Sequence, residues 1–507
     1  MEKDLVIGLD SSTSATKAVA WTREGLPVAE HRSSIALASP APDWYEQDSG
    51  DWWNSACVAL GGLWERVSPG RIAALAISNQ RETFVPLAAD GRPVRPAIVW
   101  LDQRCREEQE WLSSQVGKRR IHEISGKPVD MAPVAYRLAW MLRHEPQQYR
   151  RTAMFADVHG YLTWRLTGTF RTSWASADPM GCFDMRAKQW SGEILRPLEL
   201  EPERLPRAAA PGTILGCVTD DAAAATSLLI GTPVVAGGGD GQAAGWGVNA
   251  LSPGRSYLNL GTAVVAGIHS SEYRTGQAWR TMGSCTSDGY YYETSLRSGT
   301  FLIDWFLNTW AGGNPDAEVR RRLESDAAAV PVGSGGILAL PYWGAVMTPY
   351  WDQEARGCLV GLTGAHRTPH LYRALLEGIA LEQAMVTGMI EQESGIEVRE
   401  FVGIGGGAAS GLWRQIIADT SGKVVKRPRT VEASSLGAAM CAAVGAGWFS
   451  DVPTAAEAMS GTTEQETEPC PERRERYAQL LEIYREVYPQ LRQTYHKLAA
   501  FQKSIEL

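Results

Sequence analysis

Two aspartates sit where apolar runs give out, and both have neighbours suited to handling phosphate. Asp10 ends the run 5–9 and is followed by Ser11, Ser12, Thr13 and Ser14, then by Lys17. A carboxylate in that position suits Mg2+, held directly or through water. The small, hydroxyl-rich turn leaves its backbone N–H groups uncovered, and with a lysine nearby it suits a polyphosphate. The same residues also read as a polar β-hairpin with a surface aspartate. Asp240 follows Gly237, Gly238 and Gly239. It either caps a helix beginning at Gly241 or stands in a cleft and takes a proton from a substrate hydroxyl. Further small-residue turns after apolar runs occur at Gly261-Thr262 and at 405–407. Glycine there lets backbone N–H groups approach phosphate oxygens with no Cβ in the way.

The elements that must position these residues alternate between strand and helix, which indicates an α/β fold. Residues 5–20 read as a strand, a tight turn and a returning strand. A helical pattern opens at Asp51 with Trp52, Ala56, Ala59, Leu60 and Leu63 on one face. A buried strand is expected over 72–78, ending at the segment 79–83 and resuming over 84–87. Residues 133–144 read as a helix, and 232–236 as a strand that runs into the glycines before Asp240. Residues 249–255 read as a linker. The stretch 256–268 then repeats the strand–turn–strand form of 5–20, so a duplicated domain facing its copy across a cleft is expected. Thr368-Pro369 opens the clearest helix, with Thr368 as its N-cap and Leu371, Leu375, Ile379 and Ala380 turned inward. Residues 434–443 form a small-residue helix that can lie very close to another element. From about Glu472 a last helix carries Leu480, Tyr484, Val487, Leu491, Tyr495 and Leu498 on one stripe, with Pro489 expected to kink or split it.

The bulk composition narrows the function classes. A chain of 507 residues is too long for one core. Its hydrophobic content of 44% and charged content of 21% are those of a globular protein, and a net charge of −8 argues against a general nucleic-acid binder. The eight cysteines form no CxxC pair, which favours reduced thiols in a cytoplasmic protein over a disulfide framework or a zinc site. The N-terminus carries no signal-peptide pattern, and the weakly polar run 435–449 is too short for a membrane span. Neither a nucleic-acid nor a membrane partner is therefore expected. Nineteen tryptophans are explained more by core packing than by sugar contact.

At this point a family resemblance is visible in the residues. The chain resembles the FGGY carbohydrate kinases, within the broader actin-like ATPase fold. GLDSSTSATKAV (8–19) resembles their first phosphate motif, and LNLGTAV (258–264) the second. AISNQRET (76–83) and AIVW (97–100) are similar to the sugar-contact segments of glycerol kinases. GGGDGQAAGWG (237–247) resembles the segment bearing the catalytic aspartate, and GCLVGLTGAHRTPHLYRALLE (357–377) the C-terminal signature. GGGAASGLWRQIIADTSG (405–422) and SSLGAAM (434–440) resemble adenosine-side motifs, in a form similar to that of xylulokinases.

The resemblance implies two ribonuclease H-like (actin-like ATPase) α/β domains facing each other across a cleft. Residues 1–249 would carry the sugar site and the first phosphate motif, and residues 250–507 the nucleotide site and the C-terminal helices. It implies an ATP- and Mg2+-dependent phosphotransferase with an alcohol group as acceptor. Asp240 would be the general base and Asp10 the residue that helps hold Mg2+. Thr13, Lys17, Gly261, Thr262, Gly299, Gly406, Gly407 and Ser410 would contact or border ATP. Arg81, Glu82 and Trp100, with Asp240, would hold the sugar or polyol; a surface salt bridge for Arg81 and Glu82, and core packing for Trp100, are the structural alternatives. Glycerol kinases carry a tyrosine in the segment that here reads Met131-Ala132, and a lysine where Arg137 stands. Loss of that ring opens the site, so a ketopentose, xylulose first, or a similar polyol is expected. Glycerol kinase is the alternative, and a non-catalytic actin-like ATPase acting as a regulatory binding protein is the second. A homodimer is the assembly considered.

Overall fold

The computed structural model describes residues 3–310, 313 and 316–505. Two mixed sheets organise it, and each begins with the same unit. In the first, strand Leu5–Ser11 pairs antiparallel with Ala15–Trp21 and parallel with Ile72–Asn79. In the second, Arg255–Leu260 pairs antiparallel with Val264–Ser270 and parallel with Glu400–Ile404. The expected duplication is thus present in the hydrogen-bonding pattern. The first sheet runs, edge to edge, Ile214–Cys217, Pro233–Gly239, Ile72–Asn79, Leu5–Ser11, Ala15–Trp21 and Pro27–Ser34. The second runs Arg280–Gly283, Tyr290–Leu296, Val264–Ser270, Arg255–Leu260, Glu400–Ile404, Val424–Pro428 and Thr462–Thr467. The central strands are apolar almost without alternation because both faces are covered; all of Ile72–Asn79 is buried.

Between the sheets lie two short helices, Asp240–Gly247 and Ala433–Gly445. Leu436 and Met440 of the second helix share one buried cluster with Val6, Val235 and Trp246 from the first half and Tyr257 and Val402 from the second. The small residues permit the approach. A Cβ on Gly437 would lie 1.9 Å from the carbonyl oxygen of Ala243, and one on Gly8 would lie 1.9 Å from that of Ser435. The expectation of a very close helix holds, and its partners are the first sheet and the helix that Asp240 begins.

Several local expectations are corrected. Phe84–Leu87 does not resume the strand before it but joins a separate four-stranded sheet with Glu46–Gln47, Ala97–Ile98 and Met154–Asp157. The break falls at Glu82, whose φ of 48° turns the chain out of the first sheet. The first helix, Ser49–Gly61, opens two residues before Asp51, and Asp48 is at its N-cap, its carboxylate accepting the Gly50 N–H. Thr368 is the first helical residue of Thr368–Ser394, and Arg367 is the cap. Pro489 does not split the last helix, Pro471–Ser504. On that helix Leu498 is 53% exposed, while Tyr477 and Tyr488 are buried with Tyr484 and Tyr495. No helix among the described residues is long and apolar enough to cross a membrane.

Candidate active site

The site is built on the carboxyl ends of neighbouring parallel strands. Asp10 lies level with Ser78, and Ser78 level with Gly238. Asp10 and the residue after Gly239, Asp240, therefore leave the same end of the sheet with one strand between them, a lateral offset of roughly 10 Å. Asp10 accepts the Ser78 hydroxyl at 2.8 Å. Burial, then the charge of Asp240, pushes the Asp10 carboxyl up to about 7. Asp240 accepts the Gly241 N–H at 2.8 Å and lies 3.4 Å from the Arg81 guanidinium. It is the first residue of its helix, with Gly239 at the cap. Its recessed position raises its carboxyl, and Arg81 opposes the rise. Even so, 40% of its side chain stays accessible from the cleft. The glycines on either side make room for Arg81. A Cβ on Gly239 would meet the arginine stem at 2.6 Å, and one on Gly241 its guanidinium at 3.0 Å.

Arg81 and Glu82 are not a surface pair. Their side chains are 8% and 7% exposed. Arg81 donates to Glu293 at 2.8 Å and to Gln242 at 3.3 Å. Glu82 accepts from Arg280 at 2.8 Å. Trp100 is 37% exposed, so core packing does not account for it. Its indole N–H donates to the Thr13 hydroxyl at 2.9 Å, and this bond joins a residue expected on the sugar side to one expected on the phosphate side. Below them, Gln47 donates to the Thr13 carbonyl at 2.6 Å and accepts from Gln80 at 2.8 Å and from the Trp52 indole at 2.9 Å. Arg137 is fully buried and donates to the carbonyls of Val99 at 2.9 Å, of Glu82 at 2.7 Å, and of Ala132. It thereby ties together the loops that carry Glu82, Trp100 and Ala132. Burial alone would lower the proton affinity of that guanidinium, and carbonyl dipoles take the place of a counterion.

On the opposing half, the Gly261-Thr262 turn rests on the segment holding Gly299. The Gly299 N–H donates to the Thr262 carbonyl and the Thr300 N–H to the Gly261 carbonyl, both at 2.8 Å. A Cβ on Gly299 would come within 2.4 Å of the Gly261 oxygen. Gly405, at φ 79°, folds the next turn against Asn259 and Leu260. Beside it opens a cavity of about 280 Å³, lined by Ile303, Leu307 and Tyr372 on one side and Gly406, Ala409 and Ser410 on the other, with Arg320 and Glu324 at its polar edge. Ser410 caps the helix Gly411–Ser421 by accepting the Trp413 N–H at 3.0 Å, and its hydroxyl donates to Glu324 at 2.6 Å. Gly407 does not line that cavity. It is buried against Trp413, whose ring would lie 2.5 Å from an added Cβ.

Lys17 reaches across the halves to Glu432 at 2.6 Å. Glu432 precedes the helix Ala433–Gly445, where Ser434 donates to the Asp240 carbonyl at 3.1 Å and Ser435 to that of Gly8 at 3.0 Å. The two strands flanking the first turn and the residue Asp240 are thus held by one helix end. Sequence reasoning missed Glu432, Arg280 and Glu293, since each lies in a different part of the chain from the residue it holds.

The geometry is that of an actin-like ATPase: two related sheets, each headed by a strand, a small-residue turn and a returning strand, with a partly accessible carboxylate at the end of the first sheet. Comparison with known proteins narrows this class. The sequence profile of the FGGY family of carbohydrate kinases matches this chain with its N-terminal domain over residues 5–247 and with its C-terminal domain over residues 256–446. A glycerol kinase of Citrifermentans bemidjiense is 31% identical over 93% of this chain and 96% of its own length. A xylulose kinase of Bacillus subtilis is 27% identical over 98% of this chain and 99% of its own. The crystal structure of a xylulose kinase from Rhodospirillum rubrum superposes with a TM-score of 0.90, at 27% identity, over 97% of this chain and 100% of that one. The chain belongs to the FGGY family of carbohydrate kinases. It is an ATP-dependent phosphotransferase that acts on an alcohol group of a small molecule.

Proposed function

We propose that this kinase phosphorylates a hydroxyl of a ketopentose, xylulose first, or of a similar polyol, with Asp240 as general base. The observation that carries the reading is Asp240 itself, open to the cleft and aligned by Arg81 at 3.4 Å. In this mechanism the acceptor hydroxyl lies against Asp240, which takes its proton as the phosphoryl group arrives. Arg81 keeps the carboxylate oriented, and the Trp100 ring lies along the carbon chain of the acceptor. Thr13, Gly261 and Thr262 offer donors to phosphate oxygens, and the cavity at Gly406 and Ser410 takes the adenosine end. Lys17, on the strand that leaves the first turn, would reach a phosphate by exchanging its Glu432 partner for it. The domain division belongs to the same proposal, with residues 1–249 supplying the acceptor side and residues 250–507 the nucleotide side.

A divalent cation fits the carboxylates. Asp10 is driven up to about 7, first by burial and then by the charge of Asp240, and Asp10 would hold a divalent cation that offsets this cost. Among the described residues no three His, Cys, Asp or Glu side chains cluster as a closed metal site. Mg2+ binds through one or two carboxylates and substrate phosphates, and Asp10 would supply one of the carboxylates. When bound, Mg2+ neutralises charge on the phosphoryl oxygens. A cytoplasmic setting belongs to the same proposal, and it rests on eight scattered cysteines with no CxxC pair.

The preference for a five-carbon acceptor rests on Ala132, half-buried at the head of the helix Val134–His144, where a methyl group takes far less space than a phenol ring. The decisive assay is ADP release with a panel of ketopentoses, longer polyols and glycerol. Stimulation by a ketopentose above glycerol is expected. Stimulation by glycerol alone would overturn the acceptor assignment.

A further inference from the structure

The acceptor-side arginine and glutamate are held from the opposite half of the molecule. Arg81 and Glu82 lie in the turn after strand Ile72–Asn79 of the first sheet. Their partners Arg280 and Glu293 lie on the paired strands Arg280–Gly283 and Tyr290–Leu296 of the second sheet, where they stand directly opposite each other. The four charges close a chain. Glu293 accepts from Arg81 at 2.8 Å and from Arg280 at 2.7 Å, and Arg280 donates onward to Glu82 at 2.8 Å. Tyr257 donates its hydroxyl to Glu293 at 2.7 Å, so that carboxylate has three donors. All four charged side chains are less than a tenth exposed.

We propose that Glu293 and Arg280 are positioning residues for acceptor binding, setting the rotamers of Arg81 and Glu82 so that the acceptor site is complete only when the two halves are docked. The geometry carries the inference. Arg81 is shared between two carboxylates, Asp240 at 3.4 Å and Glu293 at 2.8 Å. Glu293 therefore fixes how far the guanidinium leans toward Asp240 and toward the acceptor. Glu82 sits at φ 48°, a backbone conformation that few non-glycine residues adopt, and its carboxylate is pinned by Arg280 in that position. Neither glutamate nor arginine of the second sheet faces the nucleotide cavity, whose lining comes from other elements.

The proposal rests on the sugar-kinase reading above, and its test separates the two. Steady-state kinetics of the full-length chain would be measured with ATP and D-xylulose, D-ribulose, xylitol or glycerol. Wild type would be compared with Glu293→Gln, Tyr257→Phe, Arg280→Lys and Arg280→Met. With the acceptor that wild type uses fastest, Glu293→Gln is expected to raise the acceptor KM about tenfold and Tyr257→Phe about threefold, while the ATP KM stays within about twofold. Arg280→Lys is expected to retain more acceptor affinity than Arg280→Met. In a cycle with Arg81→Lys, adding Glu293→Gln is expected to change the acceptor KM by less than about twofold, because the two act through one contact. An unchanged acceptor KM in Glu293→Gln, a parallel rise of both KM values, or multiplicative losses in the Arg81→Lys background would each overturn the proposal. If Glu293→Gln does not fold, Tyr257→Phe, which removes only a hydroxyl, decides the matter by the same KM comparison. Wild-type turnover with none of the four acceptors overturns the parent reading, and this one with it.

Discussion

Asp240 does not cap its helix, as its sequence position also allowed: it is the first helical residue, with Gly239 at the cap. Its carboxylate accepts only the N–H of the next residue, Gly241, and 40% of its side chain stays accessible. A positioned base contributes about 10²–10⁴-fold to such a transfer. Asp240→Asn should therefore lower kcat by about that factor while leaving acceptor binding measurable by calorimetry. Near-normal turnover in that variant would remove Asp240 from the mechanism. Both aspartates were legible in the sequence because a carboxylate just past an apolar run lies at a strand end, where α/β folds place chemistry. Glu293 was not legible, since 212 positions separate it from Arg81 and its neighbours Tyr291, Tyr292 and Thr294 are ordinary strand residues.

At the scale of elements, close approach and buried polar joints set the tolerances. The helix Ala433–Gly445 meets the helix that Asp240 begins with no room for a side chain at Gly437. Gly437→Val should separate them, costing about 1–3 kcal/mol in denaturant unfolding and lowering turnover because Asp240 moves with its helix. A second joint ties the helix Thr368–Ser394 to the helix Pro471–Ser504. Glu382 accepts the hydroxyls of Tyr342 at 2.8 Å and Tyr484 at 2.6 Å. Burial pushes its carboxyl up to about 7, from 4.5, despite both donors. Folded, it binds its proton more tightly than unfolded, so the native state holds the extra proton between those values and stability falls as pH rises through that window. Glu382→Gln should narrow the difference in Tm between pH 5 and pH 8 seen by calorimetry, and an unchanged difference would exclude Glu382 as its source. The apolar faces of these helices were legible as 3.6-residue periodicity; Leu498 was misplaced because a long helix turns its stripe away from the core it rests on.

For the whole molecule, the proposed function puts acceptor and nucleotide on different halves, and substitutions should respect that separation. Ala409→Phe places a ring in the cavity shared by Ile303, Tyr372 and Ser410. The ATP KM should rise about tenfold or more, with the acceptor KM nearly unchanged. Equal changes in both would mean that the cavity is not the nucleotide site. Salt bridges cross between the halves at Lys17–Glu432, Arg81–Glu293 and Arg280–Glu82, so contacts between the halves hold residues of the proposed site.

The sequence by itself determined the local elements and the family. Apolar runs and their period specify strands and helices, and the order of small-residue turns, aspartates and signature segments is a linear pattern that survives without a fold. The small-residue turns belong to this class because a turn's donors are its own backbone. Tertiary structure alone decided which charges meet. Arg280 and Glu82 are 198 residues apart, Lys17 and Glu432 are 415 apart, and the helix that carries Ser435 turns out to lie against the first strand of the chain. The physical reason is that a side chain's partner is set by sheet order and register, and no local property of either residue encodes where the two sheets will dock.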